Sequence, residues 1–198
     1  MTELIGKRII LRDKRLGDAL KEFEWRRDPE LSRLDAAQPL KITYQEFLRI
    51  YTNQLYSLSP WIQRLSVFTL DGEYIGNCMY YDIDPVRKEA EIGIMIGDRR
   101  YWNMGHGFDI MITLIDHIFS SSSLKRLYLH TLDWNQRAKL CFEKCGMVQV
   151  KNVKRYGQNF LLLDITDKTW NRVRSEKLAL QDALNSTTYP LISKHVSS

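Results

Sequence analysis

The tightest constraint on this chain is the stretch Trp102-Asn103-Met104-Gly105-His106-Gly107, with glycines at alternate positions, set between an alternating apolar run and a long amphipathic one. Upstream, residues 89–96 place Ile92, Ile94 and Ile96 on one face and Glu91, Gly93 and Met95 on the other, the two-residue period of a central strand. Downstream, Phe108, Met111, Ile112, Ile115, Ile118 and Phe119 recur at helical spacing until residues 120–123, a serine run, end the helix. A glycine turn between strand and helix lets the backbone approach a ligand closely, with the free N–H groups of the first helical turn pointing outward, a geometry that suits pyrophosphate. Arg99, Arg100 and His106 are expected to add positive charge beside it, and Asp109 to complement the helix dipole. On its own, Gly-x-Gly also describes a plain tight connection, so its neighbours must decide.

Those neighbours read as a mixed sheet with helices. Residues 7–12 form a first strand, and residues 17–27 a helix with Asp18 as N-cap, closing before Asp28-Pro29. Residues 28–42 read as a loop, followed by a helix capped by Thr43 and running to about residue 57, with Phe47, Leu48, Tyr51 and Leu55 on one face. Two apolar runs around Asp71-Gly72 predict a hairpin over residues 64–83. After the glycine turn come a strand over 127–132, a helix over 135–144 stopped by Gly146, and a hairpin of 147–154 and 159–165 around Gly157. Residues 166–184 form an extra helix with Trp170, Val173, Leu180 and Leu184 near one face, and the tail beyond is expected to be loose.

At 198 residues one domain is expected, burying roughly 70% of its unfolded surface. The net charge of +5 favours anionic partners, but the cations are scattered, which suits a phosphate-bearing small ligand at least as well as a nucleic-acid groove. Three cysteines, Cys78, Cys141 and Cys145, argue against a disulfide framework and, with no leader-like start and no apolar window of membrane length, predict a cytoplasmic protein. Cys141 and Cys145 lack nearby partners at zinc spacing, so no metal is expected.

Three pieces then carry a family resemblance: Ile10-Leu11-Arg12, Asp18 and Trp25-Arg26-Arg27-Asp28-Pro29; the strand 91–96 running into the glycine turn; and Asn135-Gln136-Arg137-Ala138 with Glu143-Lys144-Cys145-Gly146-Met147. Together they resemble the Gcn5-related N-acetyltransferase (GNAT) superfamily over residues 7 to about 166, particularly its branch resembling ribosomal-protein N-terminal acetyltransferases. The resemblance implies an α/β (α+β) fold, a single GNAT-like domain whose mostly antiparallel sheet of about seven strands has a splayed central cleft. It divides the chain into an acetyltransferase domain over 1–166 and a C-terminal helix and tail over 167–198. It implies acetyl-CoA as cosubstrate, with Ile94, Met95 and Ile96 pairing with the pantetheine arm, Trp102, Asn103, Met104, Gly105, His106 and Gly107 holding the pyrophosphate, and Asn135 bonding from the other side. Trp25, Asp28, Tyr44 and the loop at 28–42 would line the acceptor end, where the carboxylates of Glu24, Asp28 and Asp35 are placed to hold a cationic amine.

The implied reaction is direct attack of an amine on the thioester, which needs a base and donors for the oxyanion. Glu91 is the candidate base, because burial in a cleft raises a carboxyl's pKa toward the working range. Where many members of the family carry the tyrosine that protonates the leaving thiolate, this chain has Phe142, so Tyr128, His130 or Tyr156 is expected to substitute, or water to supply the proton. The acceptor read first is a protein N-terminal α-amine. The alternatives are a small amine such as a polyamine or aminoglycoside, and a non-catalytic acyl-CoA-binding module. Expected partners are acetyl-CoA, the amine and a second copy of the chain in a homodimer, with no membrane; Tyr80, Tyr81, Tyr101 and Trp102 near basic residues fit packing better than a nucleic-acid surface.

Overall fold

The computed structural model describes residues 3–57, 59–155 and 157–185, so Tyr156 and the tail from residue 186 lie outside the described residues. The elements are β1 (Glu3–Ile5), β2 (Ile9–Asp13), α1 (Ala19–Arg27), α2 (Pro29–Leu34), α3 (Tyr44–Tyr56), β3 (Ile62–Thr69), β4 (Tyr74–Asp84), β5 (Glu89–Ile96), α4 (His106–Ser121), β6 (Arg126–Leu132), α5 (Gln136–Lys144), β7 (Val148–Arg155), β8 (Gln158–Thr166) and α6 (Asp167–Asp182). The sheet has eight strands in the order β1-β2-β3-β4-β5-β6-β8-β7, one more than expected. Every pair is antiparallel except β5 with β6, which run parallel and pair only at Glu89 with Arg126, Ala90 with Leu127 and Glu91 with Tyr128. Beyond Glu91 the two strands part, and the outward backbone groups of the second half of β5 face a cleft instead of a neighbour.

Helix α4 is the spine of the core. Ile110, Met111, Ile112, Leu114 and Ile115 are all fully buried, more than one helical face, because α4 lies between the sheet and α6. Each such side chain contributes about 1.5–3 kcal/mol. On the far side Trp170 Nε1 donates to Asp116 Oδ1 at 3.2 Å, and Arg174 pairs with the same carboxylate. Leu180, expected on the packed face of this helix, is turned to solvent, while Gln181 is buried and donates to Asp109 Oδ1 at 2.7 Å. A smaller cluster of Ala19, Phe23, Phe47 and Tyr51 joins α1 to α3.

Three local readings change. The segment 6–8 is a turn rather than strand: Asp109, buried at the start of α4, accepts from Lys7 N (3.0 Å) and Arg8 N (2.7 Å), and a Cβ on Gly6 would lie 2.7 Å from its carboxylate. Residues 29–34 are helix rather than loop, since Asp28 Oδ1 accepts from the N–H groups of Glu30 and Leu31 at 3.0 Å and Pro29 sits in the first turn. Asp18 does not cap α1. Its carboxylate turns inward and takes Arg12 in a bidentate pair at 2.7 and 2.9 Å, with Ser66 Oγ at 2.7 Å and Arg15 N at 2.9 Å.

Burial opposes ionisation of Asp18, and its hydrogen bonds from Arg12, Ser66 and Arg15 outweigh it, so its pKa is lowered. A depressed folded pKa gives stability that is present above the unfolded value near 3.9 and lost as pH falls through the folded one. Asp18→Asn should therefore cost about 3 kcal/mol at neutral pH, by stranding Arg12. Urea midpoints taken from neutral pH down into the acid range should show a shallower acid limb in the variant. An unchanged midpoint at neutral pH would mean that Arg12 finds solvent without cost.

Candidate active site

The parting of β5 and β6 opens two joined cavities of about 320 Å³ each. They share Leu34, Asp35, Ile94, Met95, Asn135, Ala138 and Phe142, so Phe142 stands where the two meet. The turn-side cavity runs along the glycine turn, and the inner one reaches the deep end of the splay.

The turn-side cavity is walled by Ile94, Met95, Ile96, Trp102, Asn103, Gly105, Gly107 and Asn135, all expected there. Gly105 takes φ +84° at the N-cap of α4 and brings no side chain to the first-turn N–H groups, while Asn103 takes φ +58°, a left-handed conformation asparagine tolerates. A Cβ on Gly107 would lie 3.2 Å from Cys141 Sγ, among groups that line the cavity, so any side chain there would intrude on this cradle. Trp102 Nε1 donates to Ile96 O at 2.7 Å and ties the strand end to the turn. Asn135 caps α5, with Oδ1 accepting from Ala138 N at 3.3 Å, which leaves its NH2 group as a donor.

Two of the expected turn residues face away from this cavity. Met104 turns its carbonyl to Arg8 Nη1 at 3.0 Å. The His106 ring is buried edge-on to Tyr101, and burial lowers its pKa, so it is neutral rather than a source of positive charge. Arg99 and Arg100 are likewise engaged, Arg99 with Asp28 and Glu30 and Arg100 with Asp98. The cations that do reach the cavity come from α5: Arg137, whose guanidinium lies 3.5 Å from the centroid of the Trp102 ring, and Lys144, 4.8 Å from the Phe108 ring. The spacing of Arg137 two residues after Asn135 was the available signal for them.

In the inner cavity Glu91 is 6% exposed, far from a carboxylate in open water, and its Oε1 lies 2.8 Å from His130 Nδ1. Tyr81 stands opposite Glu91 across β4, and Tyr128 opposite it across β6. Burial, then the Glu91 charge, raises the pKa of both phenols, so both remain donors at neutral pH. Tyr128 lies edge-on to His130 at 6.0 Å and is not among the lining residues, whereas Tyr81, which the sequence assigned to packing, is. Arg155 Nη1 lies 3.4 Å from His130 Nδ1 and brings a positive charge to the mouth of this pair.

Of the expected acceptor side, the segment carrying Asp35 reaches the cleft, and Trp25, Asp28 and Tyr44 do not. Trp25 is buried against Tyr74 at 4.8 Å and fills the space over Gly97, where a Cβ would lie 2.1 Å from its indole. Asp28 caps α2 and pairs with Arg99, which lowers its pKa. Tyr44 packs on Phe23 at 5.3 Å. None of the three lines either cavity; Lys14, Glu22, Arg26, Leu34, Asp35 and Ala36 hold that wall instead. Asp35 reaches solvent through the open groove, although protein surrounds it closely enough to push its pKa up.

A strand with an unpaired edge, a glycine-opened helix beside it and a buried carboxylate–imidazole pair at the base of the splay are thus one continuous site. Residues 8–148 match the family model described as the acetyltransferase (GNAT) domain. The chain belongs to the GNAT acetyltransferases. It is an acetyl-CoA-dependent N-acetyltransferase, and acetyl-CoA is its cosubstrate. Among relatives, it is 30% identical over 128 residues to the uncharacterised N-acetyltransferase p20 of Bacillus licheniformis, an alignment that spans 64% of this chain and 71% of that protein. The GNAT fold is shared with the spermidine N-acetyltransferase of Vibrio cholerae in complex with CoA and spermine, at a TM-score of 0.73 and 18% identity over 83% of this chain and 98% of that one. It is also shared with the aminoglycoside acetyltransferase AAC(6')-Ib in complex with coenzyme A, at 0.71 and 18% over 84% and 99%. Among the described residues no helix is long and apolar enough to cross a membrane.

Proposed function

We propose that the chain acetylates the α-amine of a protein N-terminus inside the β5–β6 splay, and that the Glu91–His130 pair removes the amine's proton. The observation that carries the catalytic part is the 2.8 Å contact between two buried titratable groups on the two parting strands. Bound acetyl-CoA supplies a thioester whose carbonyl carbon forms the new C–N bond as the C–S bond breaks. The second half of β5, residues 94–96, offers the backbone edge that β6 leaves to the pantetheine arm, apart from Ile96 O, which Trp102 holds. The N–H groups at the start of α4 face the pyrophosphate, with Arg137 and Lys144 supplying the positive charge that His106, Arg99 and Arg100 do not.

The 2.8 Å contact of Glu91 Oε1 with Nδ1 of His130 favours the ring proton on Nδ1 and leaves a lone pair on Nε2, the tautomer that accepts a proton from an ammonium. Glu91 then stabilises the imidazolium that results. Phe142 gives no proton at the junction of the cavities, so the leaving thiolate takes its proton from Tyr81, from the imidazolium or from water.

The charges of the inner wall bear on the acceptor. Lys14 and Glu22 pair with each other, and the Arg26 charge acts on Asp35, so of the wall's carboxylates Glu91 alone has no cation of the wall set against it. A long polycation needs uncompensated carboxylates, whereas a peptide end presents one amine to Glu91–His130 and neutral amides to the rest. The test is thiol release from acetyl-CoA over N-terminal peptides, polyamines and aminoglycosides. Peptides should turn over with the highest kcat/KM; a preference for polyamines would replace this acceptor, and no turnover with any amine would leave a binding module. Arg137→Ala should weaken coenzyme A binding about tenfold by removing a charge-assisted contact, read by calorimetry. Unchanged affinity would take Arg137 out of the cofactor site.

A further inference from the structure

The face of the glycine turn turned away from the cofactor cavity is held by the two ends of the chain. Arg8, in the β1–β2 turn, donates from Nη1 to Met104 O at 3.0 Å and from Nη2 to Leu184 O, which lies in the single helical turn Ala183–Asn185 after α6. The Leu184 side chain fills the space behind Gly105, where an added Cβ would lie 2.9 Å from its Cδ2. One helical turn further on, Asp109 gathers Lys7 N, Arg8 N and Gln181 Nε2 around its carboxylate, and Lys7 pairs with Asp182. The N-terminal turn, the glycine turn and the end of α6 therefore meet at one point.

We propose that Arg8 and Leu184 are positioning residues for the cofactor: they clamp the carbonyl side of residues 104–105 so that the opposite, N–H side of the turn is preset for pyrophosphate. This rests on the cofactor reading above and assigns the end of α6 to the same site. A glycine-rich turn left unsupported samples many backbone states, and the fraction in the binding-competent one divides directly into the affinity. A guanidinium that bridges two carbonyls from a fixed fork restricts that sampling in a way that an ammonium, with one point of charge, does not. Packing by Leu184 removes the remaining freedom behind Gly105.

Such a clamp acts on cofactor affinity and leaves the Glu91–His130 chemistry untouched, because neither residue lines either cavity. Arg8→Ala, Arg8→Lys and Leu184→Ala in the full chain separate this from a general loss of fold. Coenzyme A affinity by calorimetry should fall about tenfold for Arg8→Ala and by a smaller factor for the other two. KM for acetyl-CoA should rise in parallel, with kcat at saturating acetyl-CoA and KM for the amine unchanged. Affinity within about twofold of wild type in Arg8→Ala and Leu184→Ala, whatever their melting temperatures, would overturn the clamp. A matched fall in kcat would do the same, because it would mean a disturbed fold. Absence of coenzyme A binding by the wild-type chain would overturn the cofactor reading itself, and the clamp with it.

Discussion

Glu91→Gln should lower kcat by about 10²- to 10⁴-fold while leaving coenzyme A affinity unchanged. Glutamine keeps the length of the side chain and an oxygen within reach of His130 Nδ1, so the cavity wall is preserved. What disappears is the negative charge that stabilises the imidazolium after proton transfer, together with the constraint on which ring nitrogen carries the proton. Because Glu91 is buried and opposite Tyr81 and Tyr128, little solvent is available to replace that charge. Steady-state thiol release with a competent amine, beside a coenzyme A titration, gives both numbers. A variant with wild-type kcat would remove the Glu91–His130 pair from proton transfer.

Gly107→Glu should produce the opposite pattern, with coenzyme A affinity reduced by more than about 100-fold and the fold retained. The Cβ emerges 3.2 Å from Cys141 Sγ and 3.8 Å from Ile94 and Ile96, inside the turn-side cavity, and the carboxylate then occupies a helix N-terminus otherwise open to phosphate. Gly107 has no positive φ in the structure, so the backbone tolerates a side chain there, unlike Gly105 at +84°. The readout is the melting-temperature rise on adding coenzyme A, which follows mass action on the native state alone. The wild type should show a clear rise and the variant none; an equal rise in both would place the pyrophosphate away from the turn.

The elements that build the cleft were legible because their signals are local. The alternation of residues 89–96, the glycine turn and the amphipathic run after it mark β5 and α4 without any long-range information. Helix α2 was just as local: Asp28-Pro29 is a cap and a first-turn proline, but read as a helix stop it hid the helix start behind it. Asp18 shows a different limit. As a residue type before an apolar run it suits an N-cap, yet Arg12 and Ser66, brought together by β2 and β3, offer its carboxylate more partners than a helix end does.

The acceptor side was the least legible part, for a physical reason. Trp25, Tyr44 and Glu22 all lie on or beside the same helical region, and whether each points to core or cleft depends on how α1 and α3 roll against the sheet. Phe23 and Phe47 set that roll, taking Tyr44 into their cluster, and Trp25 is drawn down onto Tyr74 over Gly97. Charge around the turn was equally non-local, since Arg99 and Arg100 find carboxylates nearby and Arg137 arrives from a helix some thirty residues on.

Amide hydrogen exchange of the wild-type chain with and without coenzyme A tests the placement of the cofactor in the β5–β6 splay most directly. Slowed exchange is predicted over residues 94–96 and over the first turn of α4 after Gly105. Protection confined to any other surface, or none at saturating coenzyme A, would contradict it.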